Sequence, residues 1–511
     1  MSFEEKYGIK GLTMVAVILG VFMAILDTSV VNVALPKMMA VFATNQDTIE
    51  WVITGYMLVV GMLTPVSGYI GDRFGYKKVF QIALIVFTVG SALCGASGSI
   101  GMLIFFRVIQ AIGGTLLMTI SMSLLFRMSK PENRGMVMGL WGIAMMFAPA
   151  FGPVISGYFV QYLDWRLIFY INVPIGIIDA MLVQATVPDF AGHAVDKFDI
   201  PGFVTSLLGF FGLLYALSEA PTLGWGSFEI IAILFCSVVA LALFTLIELT
   251  SDNPMLDLRL LQNKVFMVTA ISVSLIRMMM MGALFILPVF LQNGMGLSPV
   301  QTGLLTMPGA LITAVLMPVG GALFDRFGAR PVAIVGMVIM TTASFLFINL
   351  NVEWSFLAIM IVYMFRSAGM GLTNMPISTA GMNVVPKHLI TRATALQNTL
   401  RNVAGSMGTA ILSLCMTTHG NWAFTRLMQR TGIKSLEQVS AYGVHPSVYG
   451  PNAHQLLGYM LFLKQMAFQM GTQYALKVAL LITLVAFISV FFLGKKQILV
   501  SSDAGAAQAL E

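Results

Sequence analysis

The sequence predicts an all-α membrane protein of about fourteen spanning helices, arranged as two six-helix bundles with two helices inserted between them. The chain has 511 residues, of which 58% are hydrophobic and only 10% are charged. A soluble protein of this length would have too few charges to cover so much apolar surface. The apolar residues fall into runs long enough to cross a bilayer, and one loop motif occurs twice.

The helices are predicted from apolar runs of about 20 residues, the length that crosses the hydrocarbon core of a membrane. The fourteen runs are 12–35, 50–70, 79–98, 101–125, 136–162, 167–187, 199–219, 228–249, 264–292, 302–323, 332–350, 354–383, 394–417 and 475–494. We number the predicted helices 1 to 14 in this order.

The repeated loop motif is Gly-x-x-x-Asp-Arg-Phe-Gly, at 68–75 and again at 321–328. The first copy joins helices 2 and 3, and the second joins helices 10 and 11, so the copies are eight helices apart. A plain duplication of six helices would separate them by six, which makes helices 7 and 8 the insert. The predicted parts are a bundle over 1–190, an insert over 191–260, a second bundle over 261–500 that includes a long outer loop at 418–473, and a disordered tail over 501–511.

The orientation follows from the lysine and arginine residues. With a cytoplasmic N-terminus, about 17 of the 28 basic residues fall on the inner side and about 6 on the outer side, as the positive-inside rule requires. Both termini and both Asp-Arg loops are then expected in the cytoplasm. The net charge of +6 comes from basic residues scattered between apolar runs, so we expect no nucleic-acid partner.

The polar residues give little sign of enzymatic chemistry. The three cysteines, Cys94, Cys236 and Cys415, all lie inside apolar runs, and this pattern predicts neither disulfides nor a metal site. The spans hold no Ser/His/Asp constellation, and the chain has no phosphate-binding Gly-x-x-x-x-Gly-Lys-Ser/Thr loop. We therefore expect neither an enzyme nor an ATP-driven pump.

Helix 1 contains an acid, Asp27, within Leu-Asp-Thr-Ser-Val-Val-Asn-Val-Ala-Leu-Pro. A carboxylate inside a membrane helix is unfavourable unless it is protonated, paired or facing water. Such a group suits a proton coupler or a docking point for a cationic substrate. The alternative is an acid that only holds helices together through hydrogen bonds.

Helix 4 contains Arg107 and Gln110 within Arg-Val-Ile-Gln-Ala-Ile-Gly-Gly. Arginine stays charged at any relevant pH, so it influences a nearby carboxylate without carrying the proton itself. Measured from the outer helix ends at 1.5 Å per residue, Asp27 and Arg107 differ in depth by roughly 3 Å. A coupling pair and a purely structural ion pair both fit this spacing.

The Asp-Arg loops themselves are candidates for a gate. Glycine permits a tight turn and close helix approach, and acidic and basic side chains bridge neighbouring helix ends. The candidate gating residues are Gly68, Asp72, Arg73, Gly75, Asp325 and Arg326. The alternative is a basic loop that only sets the topology.

Helix 5 is rich in small residues and prolines. Small residues let backbones touch, and prolines interrupt the hydrogen-bond ladder and bend the helix. The residues concerned are Gly139, Pro149, Gly152, Pro153 and Gly157. They are followed by Trp-Arg-Leu-Ile-Phe-Tyr-Ile-Asn-Val-Pro at 165–174.

In this order, these motifs resemble those of the fourteen-helix drug:proton antiporters of the major facilitator superfamily, close to the multidrug exporters within that family. The resemblance covers essentially the whole chain. It implies the major facilitator fold, an acid in helix 1 that couples protons, a gating role for the Asp-Arg loops and an antiporter motif in helix 5. Ala111, Ala148 and Ser156 replace glycines of the family pattern.

The function implied by the resemblance is proton-driven export of lipophilic drugs or other toxic small molecules from the bacterial cell (inner) membrane, by a monomeric transport unit. Protons are the coupling ion, and no other cofactor is expected. The alternative is a dedicated exporter or proton symporter of a specific metabolite, lipid-like compound or siderophore. Gram-negative members of the family join a periplasmic adaptor. The outer loop 418–473 is where such a partner would bind, although it fits a lid equally well.

By duplication, helices 1, 4, 9 and 12 are expected to line a central cavity. The candidate cavity residues are Asp27, Asn32, Arg107, Gln110, Asp179, Arg277, Met281, Arg366 and Asn374. This set is more positive than negative, so an anionic or zwitterionic substrate fits as well as a cationic one. Arg277 fits equally a partner for Asp27 or Asp179. The run Met278–Met281 is adaptable enough for a promiscuous pocket, although most such residues pack helices or face lipid.

Overall fold

The computed structural model describes residue 4 and residues 9–189, 199–251, 254–430 and 451–493. This part of the chain contains fourteen long helices and no strand. The helices are α1 (Gly11–Val41), α2 (Gln46–Phe74), α3 (Tyr76–Gly95), α4 (Ile100–Met128), α5 (Arg134–Tyr162), α6 (Leu167–Thr186, with a turn at Ile171), α7 (Ile200–Leu223), α8 (Phe228–Thr250), α9 (Lys264–Val289), α10 (Pro299–Phe327), α11 (Ala329–Phe347), α12 (Phe356–Asn383), α13 (Ile390–Arg430) and α14 (Pro451–Val490).

Thirteen of these described helices are long and apolar enough to cross a membrane. The exception is α13, which is rich in Thr, Asn, Ser and Gly and packs against helices of both bundles, including α2, α4, α9 and α14. Its polar side chains are placed among protein neighbours, which relieves α13 of the need for a uniformly apolar surface. The prediction of an all-α, polytopic membrane protein with about fourteen helices is confirmed.

The helices form two bundles with the same internal contacts. In the first bundle (α1–α6), α1 packs on α4, α5 and α6, and α4 packs on α2 and α3. In the second bundle (α9–α14), α9 packs on α12, α13 and α14, and α12 packs on α10 and α11. The contact pattern therefore repeats at an offset of eight helices. The division of the chain at residues 190 and 260 remains a prediction.

Both copies of the loop motif form the same turn. Helix α2 ends at Phe74 and α10 ends at Phe327, and the glycine that follows each has φ of 85°. Gly75 and Gly328 are the residue type for this left-handed conformation, which is strained for any residue with a Cβ. The next helix begins at the following residue in both cases.

The two bundles meet through α5 against α10 and α2 against α13. We call the end of the molecule that holds Asp72 and Asp325 the motif end, and the opposite end the far end. The inserted helices α7 and α8 pack on each other, and α7 also touches α2 and α13. Large apolar side chains of α8, such as Phe228 and Phe235, are exposed in the way that lipid-facing residues are.

The last two helices extend past the predicted spans at the far end. Helix α13 has 41 residues and α14 has 40, or roughly 60 Å each at 1.5 Å per residue, against a bilayer of about 40–45 Å. Gly420 approaches Gly471, and the ring of His419 stacks on Tyr474 at 4.3 Å. The part of the predicted outer loop at 418–430 and 451–473 is thus a continuation of the two helices, while 431–450 and the tail 501–511 lie outside the described residues.

Candidate functional site

A cavity of about 600 Å³ lies between the two bundles, and helices of both bundles line it. The described hydrogen bonds between the bundles run from the motif end to the middle of the molecule, where Asn402 donates to Thr64 at 3.2 Å. The motif end is therefore the closed end of the cavity. Three of the predicted cavity residues, Arg277, Met281 and Arg366, line it.

Asp27 and Arg107 form a buried ion pair, as the similar depths of the two residues allow. Both side chains are at most 1% exposed. The amide nitrogens of Gln110 and Asn172 each donate to Asp27 Oδ1 at 2.9 Å. Arg107 also donates to Gln110 Oε1 at 2.9 Å and to the carbonyl of Val52 at 3.2 Å. The carboxylate therefore has a full set of donors in this conformation.

This cluster lies behind the wall of the cavity, since none of Asp27, Arg107 and Gln110 is a lining residue. Helix α1 turns Ala24 and Thr28 toward the cavity and Asp27 toward α4. Tyr56 of α2 connects the two regions, because its ring lines the cavity and lies 4.3 Å from the Arg107 guanidinium carbon. The aromatic face attracts the guanidinium charge.

Two of these partners were not predicted as site residues. Asn172 lies inside the motif at 165–174, and its position in that motif is a signal for it. Tyr56 is a single tyrosine in an apolar run, and nothing in the sequence singles it out.

The second bundle carries three arginines in its interior: Arg277 and Arg366 at the cavity, and Arg401 of α13 buried behind them. Their described contacts include no ion pair with a carboxylate. Arg366 donates to the sulfur of Met279 at 3.2 Å, and Arg277 lies 3.8 Å from the sulfur of Met280. Arg401 is close enough to Arg277 for their like charges to interact.

Methionines form much of the apolar cavity wall. Eight line it, and they come from both bundles: Met57, Met118, Met145, Met146, Met280, Met281, Met340 and Met370. Of the run at 278–281, the last two residues reach the cavity. Because methionine is unbranched and polarizable, such a wall adapts to apolar groups of different shape.

The remaining predicted cavity residues lie elsewhere. Asp179 of α6 is fully buried next to Gly20 of α1, and neither of its carboxyl oxygens has a hydrogen-bond partner in the described structure. Asn32 is exposed and donates to the carbonyl of Thr28 at 3.1 Å. Asn374 is buried in α12. None of the three is among the lining residues.

The first Asp-Arg loop joins the bundles through Asp72. Its carboxylate accepts from the Tyr76 hydroxyl and from Arg392 Nε of α13 at 3.2 Å, and Arg127 Nη2 lies 4.0 Å away. Gly68 packs closely on Ala395 of α13. Arg392 was not predicted as a site residue, because its separation from Asp72 along the chain hides the pairing.

The second Asp-Arg loop joins the bundles differently. Asp325 accepts from the backbone nitrogens of Gly135 at 2.8 Å and Met136 at 2.9 Å, the first turn of α5. A carboxylate at a helix N-terminus is stabilised by the free N–H groups and the helix dipole. The two loop arginines make local contacts: Arg73 donates to the Tyr69 hydroxyl at 3.1 Å, and Arg326 lies over the Phe327 ring.

Helix α5 uses its small residues for contacts with two partners. Gly135 and Gly139 pack against α10, and Gly152 packs against Ser29 of α1, whereas Gly157 faces open space. Pro149 lines the cavity, and Pro153 lies one turn further along the helix. The helix therefore contacts the other bundle at the motif end and its own bundle nearer the far end.

A duplicated helical bundle around a central cavity, with charged residues inside the membrane region, is the architecture of a secondary transporter. The model of the Major Facilitator Superfamily matches residues 17–409. The chain is 36% identical over 84% of its length, and over 81% of the relative, to the uncharacterized MFS-type transporter YhcA of Bacillus subtilis. It is 31% identical to the lincomycin resistance protein LmrB of Listeria monocytogenes, covering 80% of this chain and 87% of that one.

Among solved structures, the proton:xylose symporter XylE has the same fold, with a TM-score of 0.61 and 14% identity over 96% of this chain and 97% of that one. The chain belongs to the Major Facilitator Superfamily. It is a multi-pass membrane transporter and not an enzyme.

Proposed function

We propose that the protein is a proton-coupled antiporter that exports lipophilic small molecules across the bacterial cell membrane by alternating access. The observation that carries this proposal is a methionine-rich cavity separated by one tyrosine from a buried acid–arginine pair. The relative LmrB, which is named for lincomycin resistance, supports export as the direction.

The coupling step follows from the partners of Asp27. With Arg107, Gln110 and Asn172 all donating to it, the carboxylate is stabilised in its ionised form. Proton uptake neutralises Asp27 and weakens its hold on Arg107. Because the Arg107 guanidinium lies over Tyr56, this change reaches the cavity wall, where the substrate binds. Proton and substrate thus act on the same structural element.

The gating step follows from the motif end. In the proposed cycle, the contacts of Asp72 with Arg392, and of Asp325 with the start of α5, hold the bundles together on the cytoplasmic side while the cavity serves the outside. Opening toward the cytoplasm requires these contacts to break. One proton crossing 100 mV supplies about 2.3 kcal/mol, enough for a roughly fiftyfold substrate gradient at one-to-one exchange.

The test uses purified protein in proteoliposomes with an imposed pH gradient. The probes share one lipophilic body and differ in charge: pyrenebutyrate, pyrenebutyramide and pyrenebutylamine. We expect proton-driven transport of at least one probe by the native protein, and its loss in Asp27→Asn. Asp164→Asn, at an exposed acid paired with Arg166, is the matched control and should transport normally.

Asp27→Asn leaves Arg107 without its counter-charge, so the double variant Asp27→Asn/Arg107→Gln is included to separate stability from coupling. It should restore thermal stability relative to Asp27→Asn but not proton-driven transport. Unchanged proton-driven transport by Asp27→Asn would exclude Asp27 from the mechanism. Failure of the native protein to transport any of the three probes against a pH gradient would count against proton-driven export.

A further inference from the structure

We propose that the cavity is a binding site for lipophilic organic anions, which Arg277 and Arg366 recognise through a carboxylate or a similar acidic group. The inference rests on the proposed function for the transport step but not for binding. It starts from a difference between equivalent positions of the two bundles.

Arg107 and Arg366 occupy corresponding positions, on α4 and α12, which are offset by eight helices. In the first bundle, Asp27 of α1 supplies the counter-charge of Arg107. In the second bundle, the corresponding helix α9 presents Arg277 to the cavity, a second positive charge. The protein therefore supplies an acid at one site and omits it at the other.

The cavity surface contains no other source of negative charge. None of the described lining residues is acidic. Sulfur atoms of Met279 and Met280 are the neighbours of the two arginines, and a thioether is only a weak acceptor. Guanidinium groups in a low-dielectric setting are stabilised by a carboxylate or phosphate-like partner, which they bind through parallel hydrogen bonds. A bound anion provides this partner.

The rest of the wall defines the body of the ligand. Eight methionines surround the two arginines, together with the ring of Tyr363 on α12. This surface suits an apolar or aromatic group of variable shape. A cavity of about 600 Å³ is in the range that encloses a drug-sized molecule. The combined features fit an amphiphilic anion: an acidic head on a lipophilic body.

The charge on the substrate fixes the voltage dependence of transport. One proton moving inward in exchange for one monoanion moving outward shifts two positive charge equivalents inward. The same exchange with a monovalent cation shifts none. An inside-negative potential therefore drives the export of an anion and leaves one-to-one exchange of a monocation unaffected.

The binding experiment uses the full-length protein in nanodiscs, isothermal titration calorimetry and the three pyrene probes, with empty nanodiscs subtracted. We expect pyrenebutyrate to bind about ten- to hundredfold more tightly than pyrenebutyramide, the range of a hydrogen bond to a charged group. Pyrenebutylamine should bind most weakly. In Arg277→Gln and Arg366→Gln, the preference for the carboxylate should fall at least tenfold while the affinity for the amide stays unchanged.

The controls separate charge from folding. Arg426→Gln removes an exposed arginine that lies over Trp422, away from the cavity lining, and should keep the native preference. Arg277→Lys and Arg366→Lys keep the positive charge and should retain part of the preference. Equal or tighter binding of the amide or the amine by the native protein would overturn the proposal, as would failure of all three probes to bind.

Transport of the same probes distinguishes this inference from the proposed function. If the amine is exported under a pH gradient and the butyrate is not, proton-driven export stands and the anion site is wrong. If the butyrate binds with the arginine-dependent preference but is not moved by a pH gradient, the anion site stands and the proposed function is wrong. An inside-negative potential should accelerate export of the butyrate but not of the amine.

Discussion

The two bundles share one contact pattern but treat buried charge in opposite ways. In the first bundle, Asp27 and Arg107 neutralise each other, and two amides complete the hydrogen bonding. In the second bundle, Arg277, Arg366 and Arg401 have no described acidic partner. Duplication therefore preserved the packing while the charges diverged. An internal counter-charge suits an exchangeable proton, whereas a missing one suits a ligand.

The comparison predicts opposite stability effects for arginine removal in the two bundles. Arg107→Gln leaves Asp27 buried without its ion-pair partner and should lower the free energy of unfolding by about 3–5 kcal/mol. Arg401→Met removes a buried charge whose Nη1 has no described hydrogen-bond partner, and should raise it by about 1–3 kcal/mol. Thermal unfolding of the purified protein in detergent measures both.

Two acids give the control for this pair of substitutions. Asp164 is exposed, and Asp164→Asn should change the stability by less than about 0.5 kcal/mol. Asp179 is buried without a described hydrogen-bond partner, so Asp179→Asn removes no contact of the kind that holds Asp27. Shifts of the same sign for Arg107→Gln and Arg401→Met would show that the two bundles do not differ in this way.

The second prediction concerns the close backbone approach that joins the bundles. A Cβ at Gly135 would overlap the carbonyl oxygen of Gly321, and a Cβ at Gly321 would overlap that of Gly135. Gly135→Ala and Gly321→Ala should therefore force α5 and α10 apart and shift the equilibrium away from the closed motif end by about 1–3 kcal/mol.

The distance across the motif end reports this shift, measured by double electron–electron resonance between spin labels at the exposed residues Phe74 and Phe327. The background lacks the three native cysteines. Gly157→Ala and Gly303→Ala lie in the same two helices but meet nothing within 4 Å, so they are matched controls. A distance distribution that both pairs of variants change equally would rule out the backbone contact as the cause.

The third prediction compares the two Asp-Arg loops. Asp72 binds across the interface to a side chain, Arg392, whereas Asp325 binds to backbone nitrogens of α5. Asp72→Asn and Asp325→Asn should each weaken the closed motif end by about 1–2 kcal/mol. The same spin-label distances should show this in single variants.

Double-mutant cycles separate the two mechanisms. Asp72→Asn and Arg392→Gln should be non-additive because they remove one shared contact, while Asp325→Asn should be additive with either. Additivity of Asp72→Asn with Arg392→Gln would mean that their 3.2 Å contact does not stabilise the closed state.

Much of the architecture was predictable because the bilayer dictates helix length and hydrophobicity. The apolar runs predicted the spanning helices, and the repeated loop predicted both turns at Gly75 and Gly328. The depth argument for Asp27 and Arg107 also succeeded, since a rise of 1.5 Å per residue fixes where a helical residue lies. The long continuation of α13 and α14 was not predicted in full, because the polar residues of α13 interrupt its apolar pattern while Gly420 and Gly471 allow the pair to pack.

The sequence by itself determined the fold class, the repeat and which charges are buried in the membrane region. Only the tertiary structure decided which charges meet and which face the cavity: Asp27 behind Tyr56, Arg366 in the wall, and Asp72 beside Arg392. The physical reason is that lipid-facing and protein-facing sides of a membrane helix are both apolar, so no polar–apolar periodicity records which side a residue faces. Helix rotation and contacts between distant segments are set by packing.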